Sequence, residues 1–186
     1  MGDWFVLRVK PRHEKHVATA IGHNDCEHLL PQYRSRRHWK QRSVDLDLPL
    51  FPGYVFCKFG RSSWSPIMSL PGVIDVVRSG RKPVAVCDDE IRSLTILQRN
   101  IIALEPWPYV RVGEKVQIIY GPLSGVVGSF IEARGKRNLV LSVDLVGRSV
   151  LVHLDVDSAD PTIAWAAYTS SVREYGSGSF DVTDGR

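Results

Sequence analysis

No stretch of this chain approaches the ~18 to 20 consecutive apolar residues that cross a bilayer, and the first residues lack a basic segment followed by an apolar one. A membrane span and a secretory signal are therefore not expected, and the chain is expected to be cytoplasmic. Cysteine is scarce. Cys26, Cys57 and Cys87 are odd in number and far apart, which excludes a disulfide framework and a paired zinc site. Cys57 lies inside an apolar strand and is expected to pack as a small hydrophobe. Histidine comes closest to a ligand pattern, with His13 and His16 three apart and His23 and His28 beyond. No carboxylate or cysteine supports them, so no metal is expected. There is no Gly-x-Ser-x-Gly elbow, and Gly121 to Gly128 holds no Lys followed by Ser or Thr. An enzyme is not expected, and no cofactor either.

The chain has ordinary globular proportions, 44% hydrophobic and 24% charged, and its 186 residues suffice for one medium domain or two small ones. The net charge of +4 favours an anionic partner only weakly, so the placement of the charges matters more. Between Glu27 and Asp45 there is no acidic residue, and this stretch holds Arg36, Arg37, His38, Trp39, Lys40 and Arg42. A basic run with a tryptophan inside it can pair with phosphates and stack on a base. The competing reading is a solvated surface loop.

Trp4 to Val9 reads as a strand, and Pro11 suits the first turn of a helix carrying Val17, Ala20 and Ile21. Leu29 to Trp39 and Val44 to Phe59 read as a long hairpin with the basic run at its tip. A short helix is expected over Ser63 to Leu70, strands over Val73 to Val77 and Val84 to Val86, and a helix capped by Asp88 or Asp89 with Ile91, Leu94, Leu97, Gln98 and Ile101. Strands and helices mix without regular alternation, which predicts an α+β sandwich over residues 1–101, an antiparallel sheet flanked by helices. Leu104 to Tyr109 contains two prolines, so residues 102–109 read as a linker. Short strands then fill residues 110–161, and the Ser-, Gly- and Thr-rich tail 162–186 is expected to be disordered, although Ile163, Trp165 and Tyr168 could anchor its first part.

Two motifs carry more than periodicity does. From Gly113 to Gly128, alternating Val116, Ile118 and Tyr120 run into Gly121-Pro122-Leu123-Ser124-Gly125, and Val126, Val127, Phe130 and Ile131 follow: strand, tight turn, strand. Gly128 would allow a bend or a close approach of backbone. The pattern resembles the KOW motif, a small SH3-like barrel module of transcription and ribosomal proteins. Upstream, Phe51-Pro52-Gly53 leads into Tyr54-Val55-Phe56, in which Tyr54, Phe56 and Lys58 share one face and Val55, Cys57 and Phe59 the other. Those aromatics are either core or a docking surface on the residues alone.

In this order the two motifs resemble the NusG family of transcription elongation factors, which includes the specialised antiterminators RfaH, LoaP and UpxY. The likeness covers roughly Trp4 to Pro161. It implies that the first domain binds the clamp helices of the largest RNA polymerase subunit and suppresses pausing or termination, at positions matching Phe51, Pro52, Tyr54, Phe56, Ile91 and Leu94. Changing Phe51 and Tyr54 to alanine should then weaken binding and alter unfolding much less. It also implies contact with the non-template strand or upstream DNA through Lys10, Arg12, His16, Arg36, Arg37, Trp39, Lys40 and Arg42. The second domain would recruit NusE, and with it the ribosome, or Rho, through Leu123, Val126, Leu145, Val146 and Arg148. The chain would act as a monomer, and its brevity leans towards an operon-specific paralogue. Two departures limit the likeness. Ser63-Trp64-Ser65-Pro66 stands where RfaH has its gate-loop contact, and the turn glycines favour a permanent barrel over a helical hairpin. The barrel is thus expected to move independently of the first domain, without autoinhibition. The rival reading is a ribosome-associated KOW protein that binds structured RNA through Arg134, Lys136 and Arg137.

Overall fold

The computed structural model describes residues 2–39, 42–60, 64–100, 104–107, 115–133, 136–153 and 164–167. Its first layer is built on β1 (Asp3–Val9), whose alternating burial puts Phe5, Leu7 and Val9 on one face and Val6 on the other. Helix α1 (Glu14–Gly22) follows, then β2 (His28–Leu29). The strands β3 (Gln32–Trp39) and β4 (Arg42–Pro49) pair with each other in an antiparallel ribbon of their own. The next strand, β5 (Tyr54–Phe59), leaves that ribbon and joins the main sheet. The expected long hairpin therefore divides at Leu50 to Gly53. Pro49 and Pro52 lack the backbone N–H that a continuous ladder would need there.

After α2 (Trp64–Met68) come β6 (Val73–Val76) and a small ribbon of β7 (Arg78–Ser79) with β8 (Lys82–Pro83). The main sheet is four-stranded, antiparallel, in the order β2-β5-β1-β6. The expected strand at Val84 to Val86 is reduced to a single bridge between Ala85 and Phe5. One face of the sheet is covered by α1 and α2, with Val17, Ala18, Ile21 and Ile67 packed on Phe5, Leu7, Val55, Cys57 and Phe59. Burial there pushes the Cys57 thiol up to about 12, in keeping with a small hydrophobe rather than a reactive thiolate. On the other face Val6 and Phe56 meet α3 (Asp88–Arg99) through Ile91, Leu94 and Leu97. The α+β reading of this part holds.

The second sheet is six-stranded. It contains β9 (Leu104–Trp107), β10 (Lys115–Tyr120), β11 (Val127–Ala133), β12 (Lys136–Val143), β13 (Arg148–Val152) and β14 (Ala164–Ala167), in the order β14-β10-β11-β12-β13-β9. Gly121 and Gly125 both take positive φ in the turn between β10 and β11, as the motif requires, and Gly147 does so after the 3-10 turn Asp144–Val146. Neither edge of this sheet was read as a strand, although Trp165 of β14 is among the residues expected to anchor the first part of the tail. Residues 104–107 of the expected linker pair along β13, and residues 164–167 of the expected tail pair along β10. Pro106 fits because an edge strand does not need every N–H.

Candidate functional site

The two sheets do not stand apart. Val6, Leu50, Phe51, Phe56, Val86, Ile91, Leu94 and Leu97 of the first part form one contiguous apolar cluster with Ile118, Leu123, Val126, Leu139, Leu141, Val143, Val150 and Val152 of the second. Helix α3 lies between them, its far side meeting β11 and β12, while β3 touches β9. The expectation of an independently moving second domain is corrected here, because the two parts share one apolar cluster. That expectation treated refolding into helices as the route to closure, whereas a sheet with an apolar face can dock as it stands.

Helix α3 supplies the seam because its sequence repeats at helical spacing. Glu90, Leu94 and Leu97 recur at i, i+4 and i+7, with Ile91 and Ser93 beside them, and all five are buried. Glu90 and Ser93 are the polar members, and each reaches across the seam. The Val127 N–H donates to Ser93 Oγ at 3.0 Å, and the Asp144 N–H donates to Glu90 Oε1 at 3.3 Å. Burial, with the Asp144 carboxylate adding to it, pushes the Glu90 carboxyl up to about 7, against the pull of the Asp144 N–H and of Lys115. Neither residue stood out in the sequence. A carboxylate at the head of an apolar helical stripe was the available signal.

The Phe51-Pro52-Gly53-Tyr54 turn is pinned from both sides. Gly53, at φ 85°, donates its N–H to Glu14 Oε1 at 2.8 Å, accepts from the Val9 N–H at 2.9 Å, and the Tyr54 N–H closes the turn on the Phe51 carbonyl. Glu14 is buried in the first turn of α1, so the helix holds the turn directly. Phe51 is 1% exposed and packs edge-on against Phe56, with ring centroids 5.5 Å apart. Pro52 is exposed and Tyr54 half-buried. Of the six residues matched to polymerase binding, Phe51, Phe56, Ile91 and Leu94 are thus buried in the cluster that the two sheets share. Among the residues matched to recruitment, Leu123 and Val126 are buried in the same cluster, Leu145 and Val146 pack on its margin, and Arg148 is exposed. Both sets of expected contact residues contribute buried side chains to one cluster.

The basic candidates do not gather at one point. Lys10, Arg12 and His16 are exposed near the start of α1, Arg12 with φ 65°. In the ribbon, the register places Asp45 opposite Arg36 and Asp47 opposite Arg34. Arg36 Nε donates to Asp45 Oδ1 at 3.1 Å, which holds the Asp45 carboxyl below its usual range, and Arg34 lies 3.9 Å from Asp47. The acid-free tip read from the sequence is therefore acid-free only along one strand, since the returning strand brings carboxylates across. Arg37 sits on the other face, opposite Val44, with Leu46 opposite Ser35, and both Val44 and Leu46 are exposed. Trp39 and Arg42 form the last register pair. Lys40 and Arg134 lie outside the described residues, as do the side chains of Lys136 and Arg137.

A family model described as "Transcription termination factor nusG" matches residues 2–95. The transcription termination/antitermination protein NusG of Helicobacter pylori is 27% identical over 167 residues, covering 83% of this chain and 95% of its own length. That of Thermus thermophilus is 27% identical over 118 residues, covering 57% of this chain and 64% of the relative. A solved structure described as "Domain interaction in Thermotoga maritima NusG" aligns with a TM-score of 0.50 at 21% identity, over 82% of this chain and 93% of that one.

Proposed function

The chain belongs to the NusG family of transcription termination and antitermination factors, and from that premise we propose that it binds the clamp helices of the largest RNA polymerase subunit through the face formed by Phe51, Tyr54, Phe56 and α3. There it suppresses pausing or termination. The second sheet, in this reading, is a KOW-type barrel that recruits NusE or Rho through Leu123, Val126, Leu145, Val146 and Arg148. The observation that carries the proposal is the apolar face of β5 and α3. It is not needed to cover α1 and α2, which occupy the opposite face, and it accepts a second apolar surface in the same chain. A face that takes one apolar partner in cis is suited to another in trans, provided that the first is displaced.

Competition between the two partners makes the reading testable. Ile96 of α3 is half-buried, and its Cδ1 stands 3.1 Å from where a Cβ on Gly125 would lie, so it touches the turn of the second sheet. Ile96→Asp sets a charge against that turn and should open the seam without emptying the core of the first sheet. Purified polymerase is expected to bind this variant about tenfold more tightly than the wild-type chain, because less of the protein is held closed. Binding to ribosomal RNA with none to polymerase would replace the proposal with the structured-RNA reading.

The ribbon β3–β4 would then lie along non-template or upstream DNA, with Lys10, Arg12 and His16 beside it. Its two faces differ in a way that a salt titration resolves. Arg37→Ala should flatten the dependence of log binding on log salt by about 0.7 to 0.9 for bubble DNA, the value of one lost phosphate contact. Arg36→Ala should change the slope by less, because Arg36 is already engaged by Asp45. Equal losses from both variants would show that the Arg36–Asp45 pair opens on binding.

A further inference from the structure

Among the described residues, two hydrogen bonds cross the seam between α3 and the second sheet, beside the shared apolar cluster. Both acceptors come from one helical face, three residues apart, and both donors are backbone N–H groups of the second sheet. Val127 is the first residue of β11, and Asp144 is the first residue of the turn after β12. Backbone donors cannot swing away as side chains can, so the two contacts fix where the sheet sits on the helix. They differ in one respect. Ser93 is neutral at every working pH, whereas Glu90 can be a carboxylate or a carboxylic acid.

We propose that Glu90 and Ser93 form a latch that holds the second sheet over the α3 face, and that a proton on Glu90 closes it. The proposal rests on the reading of this face as the polymerase-binding one for its consequence, though not for its geometry. Among the described residues, two charged groups bear on Glu90. Asp144, directly across the seam, repels its charge, and Lys115 of β10 attracts it. On its own helix Asp89 is engaged by Arg92 at 2.7 Å. A single N–H donor and one lysine do not replace the water that an ionised carboxylate loses on closing, so the ionised form favours the open arrangement.

The direction of the pH dependence follows. In the open arrangement Glu90 returns to water and to the ordinary carboxylate range, while in the closed one it is raised to about 7, chiefly by burial. Closing therefore takes up a proton. The contribution is fully present below the ordinary carboxylate range and is lost as pH rises through about 7. Between pH 8 and pH 6 the ratio of closed to open chain should rise about tenfold.

Hydrogen exchange of the full-length chain measures that ratio even when the open form is rare. The readout is the protection of the Val127 and Asp144 amides, corrected for intrinsic exchange and taken under conditions where exchange reports the opening equilibrium. In the wild-type chain, protection should rise about tenfold from pH 8 to pH 6. Glu90→Gln should flatten the profile, and Lys115→Gln, an exposed change, should move its midpoint to higher pH. Ser93→Ala should lower the protection of Asp144 at every pH and keep the slope. A flat wild-type profile overturns the latch, and so does an unchanged slope in Glu90→Gln with an unmoved midpoint in Lys115→Gln. Polymerase binding is measured separately: if Ser93→Ala opens the seam and gains no affinity, the face has been misread while the latch stands.

Discussion

Phe51→Ala is expected to lower the free energy of unfolding by about 3 to 5 kcal/mol, the usual cost of deleting a buried aromatic ring. The ring belongs to one apolar cluster with three groups, namely Phe56 on β5, which it meets edge-on, Leu94 and Leu97 on α3, and the apolar residues of the second sheet. Its removal leaves a cavity that none of the three can fill alone, since each is anchored by its own element. Tyr54→Ala, at a half-buried position on the same turn, should cost about 1 kcal/mol. Urea denaturation of the two single variants separates them. The expectation that removing both would alter unfolding much less than binding stands against the burial of Phe51, which is 1% exposed. A loss below about 1 kcal/mol for Phe51→Ala would return the ring to the status of a surface anchor.

Gly128→Ala should be nearly as damaging, for the opposite reason. A methyl group at this position in β11 would stand 2.6 Å from the Val140 carbonyl oxygen and 3.1 Å from the side chain of Leu139. Backbone cannot retreat as a flexible side chain can, so β11 and β12 would have to part, at a cost of about 3 kcal/mol. Because Val127 is the neighbouring residue, the strain should also disturb its N–H contact with Ser93, and the Val127 amide resonance should shift or broaden. Gly60→Ala provides the comparison. Among the described residues other than its chain neighbours, no atom lies within 4 Å of its added methyl, and its φ is not positive, so stability should stay level or rise by about 0.4 to 1 kcal/mol. Equal stability of the two variants would remove the close-approach account of Gly128.

Much of the first sheet could be read in advance, because its strands carry period-2 apolar patterns and its helices period-3.6 ones. The division of β5 into a Tyr54-Phe56-Lys58 face and a Val55-Cys57-Phe59 face is what the sheet contains. The turn glycines at 121 and 125 and the close approach at Gly128 were likewise legible, since each demands a backbone that other residues resist. The edges of the second sheet were not. β9 holds a proline and β14 is the short run Ala-Trp-Ala-Ala, and neither alternates, so only pairing with β13 and β10 makes them strands. The site was hidden more deeply. Leu123, Val126, Phe51 and Leu94 are simply apolar in the sequence, and nothing local distinguishes a residue that covers its own sheet from one that covers another. The same limit hid the carboxylates of the ribbon, whose positions follow from cross-strand register rather than from order along the chain.

The pairing of β9 with β13 also shortens the tether. Only residues 100–103 separate the end of α3 at Arg99 from Leu104, where the second sheet begins. At full stretch that interval spans about 17 Å, so a released second sheet stays within one small-domain radius of the helix it has left. Its local concentration near α3 is then in the millimolar range or above. On the proposed reading of the α3 face, a polymerase segment arriving from solution would meet a resident competitor of that strength, and even a weak seam would suffice to keep the chain closed. Melting β9 would extend the tether as far as Lys115, where β10 begins, and dilute that competitor, which makes the strength of one edge strand a setting for how readily the whole protein opens.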